Sequence, residues 1–190
     1  MKAFRIIGLV FGALALAMIA FTVIGILLPS GWETERSIVI EAPPEAILPW
    51  LERAEAWGEW TPSPDDGVEL FGPPAGPGSG RRWDDARYGQ GEFEITAVEE
   101  GRRVSYEVAV EGGAIRISGR LELLPEGAST RVVWREEGDF GWNPLLGYVA
   151  GQMEELQGNQ LEDALRTLRT RVLAAMEETA LPATAAPGSS

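Results

Sequence analysis

The chain begins with a long run of apolar positions and continues as a domain in which polar and apolar positions alternate. Residues 6–32 contain no charged side chain. A helix over residues 6–28 would be about 35 Å long at about 1.5 Å per residue, and the hydrocarbon core of a bilayer is about 30 Å thick. The pattern therefore predicts a transmembrane helix at residues 6–28, ended by Pro29, Ser30 and Gly31.

A cleaved signal peptide is the alternative for an apolar run at this end of a chain. Its apolar stretch is shorter, about 7–15 residues, and a small-x-small cleavage site follows the stretch. Here the best small-x-small triplets, residues 13–15 and 15–17, lie in the middle of the run. We therefore expect a retained anchor.

The flanks of the helix predict its orientation. Lys2 and Arg5 precede the run, and Glu33 is the first charged residue after it. Lys and Arg favour the cytoplasmic side, so residues 1–5 should be cytoplasmic and the domain extracytoplasmic. Trp32 would then lie at the membrane interface, where aromatic rings are enriched.

Small residues along the anchor suggest a helix-packing face. Gly8 and Gly12 form one small-xxx-small pair, and Ala13 and Ala17 form a second, which is the spacing by which membrane helices approach closely. The pattern is that of a homodimer, but chance spacing of common membrane residues explains it equally well.

A short linker at residues 29–34 leads into a domain at residues 35–179. Residues 36–42 are rich in β-branched side chains and predict a strand. A helix is expected at residues 45–59, with a split at Pro49. The following residues, 61–80, are rich in Pro and Gly and predict turns.

The hydrophobic period then changes to two, which predicts antiparallel strands with one wet face. A first long strand is expected at residues 81–88. Apolar side chains then alternate with polar ones in three further runs, and residues 130–136 complete a meander. The alternating apolar positions are Phe93, Ile95, Ala97, Val104, Tyr106, Val108, Val110, Ile115, Ile117, Gly119, Leu121 and Leu123.

A long amphipathic helix closes the domain. Apolar residues from Leu145 to Met176 mostly recur every three or four positions, so one face should lie on the sheet. The helix is expected to begin near Trp142 and end near Thr179, with a kink at Gly158. Residues 180–190 have almost no core-forming side chains and should be disordered.

Composition excludes several functions. The net charge is −13, and without Lys2 and Arg5 it is −15, so nucleic acid is not an expected partner of the domain. Cys and His are absent and Lys2 is the only lysine. Thiolate chemistry, Ser-His triads, the commonest metal ligand and Schiff-base chemistry are therefore excluded from the domain. The residues suggest no metal and no cofactor.

Four stretches resemble one family. They are residues 35–45 (ERSIVIEAPPE), residues 57–62 (WGEWTP), residues 76–80 (GPGSG, followed by Trp83) and residues 130–134 (TRVVW). With the long final helix they resemble the START and birch-pollen-allergen-like SRPBCC superfamily, in the bacterial branch of polyketide cyclases/dehydrases and lipid transport. The resemblance covers residues 33–178. It implies an α+β helix-grip fold, a curved antiparallel sheet wrapped on a long C-terminal helix, here preceded by one transmembrane helix, as in many members.

The resemblance also implies a cavity between sheet and helix that holds an apolar small molecule. For each inward-facing residue, ordinary core packing is the alternative to cavity lining. A shift of one residue in the register of β-strand 81–88 would replace Trp83 on the inner face by Arg82 or Asp84. The candidate lining residues are Trp83, Phe93, Tyr106, Ile117, Trp134, Met153, Leu156 and Leu161.

Paired carboxylates are the remaining candidates for chemistry. Asp84, Asp85, Glu92 and Glu94 lie on neighbouring predicted strands, and an acid pair in a dry cavity would have one raised pKa. Glu92 and Glu94 alternate with apolar residues, however, and should face water. No catalytic residue is assigned from the sequence.

Two functional hypotheses follow. The first is a membrane-anchored module that binds or carries a lipid or other apolar ligand, since the tether concentrates the domain near such ligands. The second is a cyclase- or dehydratase-like enzyme that moves protons with Tyr106 or a buried carboxylate. A hydrogen-bonded ionisable group inside the cavity would favour the enzyme, and a wholly apolar lining would favour binding. A structural domain with a collapsed cavity is a third possibility.

Overall fold

The computed structural model describes residues 2–64, 66–139 and 147–180. It has the predicted α+β composition, with one helix before and one long helix after a sheet. The elements are α1 (Lys2–Leu27), β1 (Gly31–Ile40), α2 (Pro44–Leu51), α3 (Ala54–Trp57), β2 (Val68–Phe71), β3 (Gly80–Asp85), β4 (Gly89–Glu99), β5 (Arg103–Val110), a 3₁₀ turn (Glu111–Gly113), β6 (Ile115–Glu126), β7 (Ser129–Asp139) and α4 (Gly147–Ala180).

The sheet is a seven-stranded antiparallel meander closed by its first strand. Its order is β1-β7-β6-β5-β4-β3-β2, so β1 pairs with the last strand of the chain. Period-two alternation gives it an apolar inner face and a polar outer face. The inner face packs on α2, α3 and the buried stripe of α4, which includes Leu161, Leu165 and Leu168. The helix-grip fold expected from the sequence is confirmed.

Aromatic side chains lie over glycines in the neighbouring strands, on the inner face for Trp32, Trp83 and Tyr106 and on the outer face for Phe71. Each glycine is the direct cross-strand partner of its aromatic residue, and a Cβ there would come within 2.1–2.4 Å of the aromatic side chain. Such pairs fix strand register, because a shift of one residue would remove the space that the ring needs. The pairs are Trp32 with Gly138, Phe71 with Gly80, Trp83 with Gly91, and Tyr106 with Gly119.

The first strand begins earlier than the sequence pattern predicted. β1 starts at Gly31 rather than at Arg36, so Trp32 is a strand residue. Its side chain is 6% exposed and packs against Ile115, Ile117 and Met153. The Trp32 ring is therefore not an exposed interfacial anchor of the kind that the sequence predicted, because cross-strand pairing with Gly138 buries it inside the domain.

Two predicted helix breaks also differ. α2 runs through Pro49 and ends at Leu51, and the break before α3 falls at Glu52 and Arg53. α4 is continuous through Gly158. Gly158 instead makes room for a side chain of β1, since a Cβ there would lie 2.0 Å from Nη2 of Arg36. The predicted helix start near Trp142 and the predicted disordered tail beyond Ala180 lie outside the described residues.

Candidate ligand-binding site

One half of the interior is filled by aromatic side chains of the domain itself. We call this the filled half; it is formed by Trp57, Trp60, Phe93, Tyr106 and Trp134, each at most 3% exposed. The Trp57 ring is central, with ring centroids 4.5 Å from Phe93 and 4.7 Å from Tyr106. Indole N–H groups are satisfied locally, since Trp57 Nε1 donates to the Leu51 carbonyl at 2.9 Å. Direct ring-to-ring packing explains why these side chains form a core.

The other half is less completely covered. We call it the open half; it is formed by Trp32, Val108, Ile115, Ile117 and Met153. Only Trp32 is buried among them, and the other four are half-buried. Trp32, Ile115, Ile117 and Met153 form a satellite cluster apart from the main core. The open half is therefore a partly covered apolar surface, and the sites of small ligands in proteins are mostly apolar.

The eight residues predicted to line a cavity are therefore divided by the structure. Phe93, Tyr106 and Trp134 belong to the filled half, and Leu161 is buried with them in the main core. Trp83 faces inward over Gly91 and is half-buried, which resolves the question of its register.

The remaining three predicted residues are Ile117 on β6 and Met153 and Leu156 near the start of α4. Ile117 and Met153 belong to the open half. Leu156 does not face the interior, because its side chain is 54% exposed. Leu156 lies five residues before Leu161, about 140° around the helix axis at about 100° per residue, so it points away from the buried stripe of α4.

A polar network separates the two halves. The Tyr106 hydroxyl donates to Glu136 Oε1 in a short contact and accepts from Trp134 Nε1 at 2.8 Å. Gln157 of α4 donates from Nε2 to Glu136 Oε2 at 2.8 Å. Glu136 is 5% exposed and lies on β7 between Trp134 and Gly138, so it marks the boundary between the filled and open halves.

The network contains two ionisable groups whose charged forms are disfavoured. Burial raises the pKa of Glu136, and the hydrogen bonds from Tyr106 and Gln157 oppose that rise. Burial, followed by repulsion from the Glu136 carboxylate, raises the pKa of Tyr106 well above its ordinary range. No cation lies within 4 Å of Glu136 among the described side chains. The arrangement can accept a proton at Glu136 and donate one from either group.

The carboxylates weighed from the sequence do not form an interior acid pair. Asp84 and Glu92 are exposed on the outer face, and Glu94 is half-buried there. Asp85 Oδ1 accepts from the backbone N–H groups of Arg87 and Tyr88 and so closes a turn. Within the described ranges, no cluster of three or more His, Cys, Asp or Glu residues is arranged to hold a metal ion.

Arg81 is a second buried ionisable group and lies at the edge of the filled half. It is 7% exposed, and burial lowers its pKa to about 10. Its guanidinium donates to Ser63 Oγ at 3.1 Å and to Thr61 Oγ1 at 3.2 Å and lies 5.5 Å from the Phe93 ring centroid. Arg81 therefore ties the loop after α3 to the sheet.

Two of the larger concavities among the described residues lie outside this interior. One, of about 850 Å³, crosses the outer face of the sheet and is lined by several carboxylates, including Glu92, Glu94 and Glu107. The other, of about 940 Å³, lies between the end of α1, β1 and the start of α4, where Leu28 and Tyr148 contribute apolar surface. We call the second one the junction groove.

Glu136 is the candidate site residue that sequence reasoning missed. The run from Thr130 to Gly138 alternates, and the positions that face inward are Thr130, Val132, Trp134 and Glu136. The alternation that places Trp134 on the inner face therefore also predicts that the Glu136 carboxylate faces inward. The central position of Trp57 and Trp60 could not be predicted, because helix periodicity does not show which part of the interior α3 packs against.

The curved sheet, the gripped C-terminal helix and the partly open interior define a protein of the helix-grip class. A family model described as "Polyketide cyclase / dehydrase and lipid transport" matches residues 31–173. The chain belongs to this family. No curated protein matches it in sequence.

Solved structures share the fold at low sequence identity. Norcoclaurine synthase from Thalictrum flavum, in complex with dopamine and hydroxybenzaldehyde, has a TM-score of 0.58 and 13% identity, over 80% of this chain and 91% of that one. The protein TTHA0849 from Thermus thermophilus has a TM-score of 0.55 and 24% identity, over 75% and 98%. The hypothetical protein jhp0584 from Helicobacter pylori has a TM-score of 0.59 and 9% identity, over 74% and 87%. These similarities concern the fold alone.

Proposed function

We propose that this protein is a membrane-anchored module that binds or carries a hydrophobic small molecule or a lipid in the open half of its grip. The observation that carries the proposal is a difference in burial between the two halves. Val108, Ile115, Ile117 and Met153 are only half-buried, whereas the aromatic side chains of the filled half are buried. The family description, which includes lipid transport, supports it.

The proposed anchor is α1. Residues Ile6–Leu27 have a mean hydropathy of 2.6 and are mostly exposed, and their length matches a bilayer core. With Lys2 and Arg5 on the N-terminal side, the domain would lie outside the cytoplasm. Only Leu28, Pro29 and Ser30 separate the helix from β1, so the domain is held against the membrane surface.

The polar network gives the ligand an orientation. An apolar body in the open half would leave one polar group to meet Glu136 and Gln157, which stand at its inner end. A hydroxyl or carbonyl is the fitting chemistry, because a protonated Glu136 can donate to an acceptor and an ionised one can accept from a donor. A ligand carboxylate would repel ionised Glu136.

Photolabelling tests the proposal in the full-length protein. We expect a diazirine fatty alcohol in proteoliposomes to label α1 from the bilayer and β6 near Ile117 from within the open half. Ile117→Glu should lower β6 labelling at least fivefold, because it places a charge on the open half. Ser118→Glu, one residue along on the outer face, is the matched control and should label as the wild type does.

The α1 label serves as an internal standard in the same digest. Labelling of α1 without β6 would contradict the ligand site while leaving the anchor intact. Equal β6 labelling in both variants would contradict the assignment of the open half.

The Tyr106–Glu136 pair favours a second candidate, an enzyme of the cyclase or dehydratase kind. Glu136 would take a proton from carbon next to a carbonyl, and the Tyr106 hydroxyl would stabilise the resulting enolate oxygen. This function predicts that the protein accelerates exchange of the C3 protons of 2,4-pentanedione for deuterium, measured by NMR. Glu136→Gln should abolish the acceleration and Glu137→Gln, on the outer face, should preserve it. Exchange at the buffer rate with wild-type protein would argue against the enzyme.

A further inference from the structure

Among the described residues, an aromatic pair joins the anchor helix to the domain. The rings of Phe21 in α1 and Tyr148 in α4 are stacked, with centroids 4.5 Å apart and an interplanar angle of 4°. The Tyr148 hydroxyl donates to the Phe21 carbonyl oxygen at 2.6 Å. Gly25, one turn further along the same face of α1, is buried. The start of α4 therefore packs beside α1 and not only beside the sheet.

Phe21 lies well inside the apolar span. It precedes the helix end at Leu27 by six residues, which corresponds to about 9 Å along the axis. If Ile6–Leu27 crosses a bilayer core of about 30 Å, the level of Phe21 is within the hydrocarbon. Tyr148 is at the same level, because the two rings are stacked.

The charges of α4 begin where the span of α1 ends. Gly147–Met153 carries no charged side chain, and Glu154 is the first after Asp139. Glu154 lies six residues beyond Tyr148, again about 9 Å along a helix. Leu28 and Glu154 line the same junction groove, so the apolar span of α1 and the uncharged start of α4 end at the same level.

Beyond Glu154, α4 runs along the domain and away from the level of Phe21. Gly158 contacts Arg36 of β1, and the next residues of α4 contribute Leu161 and Leu165 to the domain core. The helix therefore has an uncharged end beside α1 and a polar, sheet-bound remainder.

We propose that the first two turns of α4, Gly147–Met153, enter the hydrocarbon of the leaflet on the domain's side, next to α1. The occupant of this surface is the acyl region of membrane lipids. The proposal rests on the anchoring role of α1 proposed above. It places the junction groove, with Leu28, Trp32 and Arg36, at the level of the head groups, so that an apolar ligand reaches the grip from the bilayer without crossing water.

Because the chain has no cysteine, single introduced cysteines can report depth. We would attach a nitroxide at Phe21→Cys, Tyr148→Cys, Gln152→Cys and Thr170→Cys in the full-length protein in phosphatidylcholine vesicles. Collision with oxygen, which concentrates in hydrocarbon, is compared with collision with a water-soluble nickel chelate. Gln152→Cys preserves the stacked pair, and Thr170→Cys marks exposed α4 far from α1.

We expect positions 21, 148 and 152 to favour oxygen over nickel at least fivefold more than position 170 does. Nickel access at 148 and 152 with nickel exclusion at 21 would overturn the proposal and leave the anchor intact. Nickel access at 21 as well would overturn the anchor itself. Exclusion of both reagents at 148 and 152, with spin–spin broadening, would show a second copy of the chain on this surface and would also overturn the proposal.

Discussion

At the scale of single residues, Glu136 is the most unusual group in the domain. It is a carboxylate at the centre of an apolar interior, and its partners Tyr106 and Gln157 are uncharged. Burial of a charge without a counterion is costly even when both carboxylate oxygens accept hydrogen bonds. Such a group is kept where its chemistry is used or where it specifies a unique arrangement.

The raised pKa of Glu136 predicts a pH dependence of stability. Its ordinary value is 4.5, and burial raises the pKa in the folded protein, so the folded state holds this proton more tightly than the unfolded state does. The favourable contribution is complete below pH 4.5 and is lost as pH rises through the raised pKa. Glu136→Gln removes this loss, because the amide stays neutral and Gln157 can rotate to keep its hydrogen bond.

Denaturant unfolding from pH 4 to pH 8 measures the effect. The free energy of unfolding of wild type minus that of Glu136→Gln should fall between pH 4 and pH 8, because the folded wild type loses its tighter hold on the Glu136 proton as pH rises through the raised pKa. Glu137→Gln should follow the wild type across the range, because Glu137 is exposed. A constant difference between wild type and Glu136→Gln would contradict the raised pKa.

At the scale of elements, α4 shows how a local rule gives way to tertiary contact. Glycine lowers helix stability by about 1 kcal/mol relative to alanine, and the sequence pattern predicted a kink at Gly158. The structure has an unbroken helix with the Arg36 guanidinium lying over Gly158. Arg36 is held there by hydrogen bonds from Nη1 to the Glu35 carbonyl at 2.8 Å and to Thr34 Oγ1 at 3.3 Å.

A double-mutant cycle tests this explanation. In an Arg36→Ala background, Gly158→Ala should stabilise the protein by about 1 kcal/mol, the full difference in helix propensity. In the wild-type background the gain should be absent or reversed, because the new Cβ displaces the Arg36 side chain from its hydrogen bonds. Thermal or denaturant unfolding gives both values. The same gain in both backgrounds would show that Arg36 does not constrain Gly158.

Most elements could be predicted from local pattern, and their ends could not. Period-two alternation located the strands that carry Phe93, Tyr106 and Ile117, because a half-wet antiparallel sheet imposes that period on the sequence. The start of β1 at Gly31 could not be read locally, since it depends on pairing between Trp32 and Gly138, more than a hundred residues apart.

At the scale of the whole molecule, the fold was predictable and the site only in part. The order of strand, helix, meander and long helix predicts the helix-grip fold, and the family match confirms that fold. Which inward residues fill the interior and which leave it open depends on how α2 and α3 fold over one end. That is why Phe93 and Trp134 are core residues while Ile117 and Met153 border the open half.

In the proposed arrangement, three features shorten the path of an apolar ligand through water. The apolar helix α1 holds the domain at the bilayer, and the uncharged start of α4 lies beside α1. The open half begins at Trp32, shortly after the end of α1. The proposed function therefore requires that the open half hold such a molecule.

Native mass spectrometry of the full-length protein, extracted in detergent mild enough to retain lipids, tests that claim most directly. We predict an apolar molecule bound at one copy per chain in wild type, lost in Ile117→Glu and retained in Ser118→Glu, whose side chain lies on the outer face. The mass of the molecule would also identify its class. Empty wild-type monomer, or a bound molecule retained equally in both variants, would contradict the account.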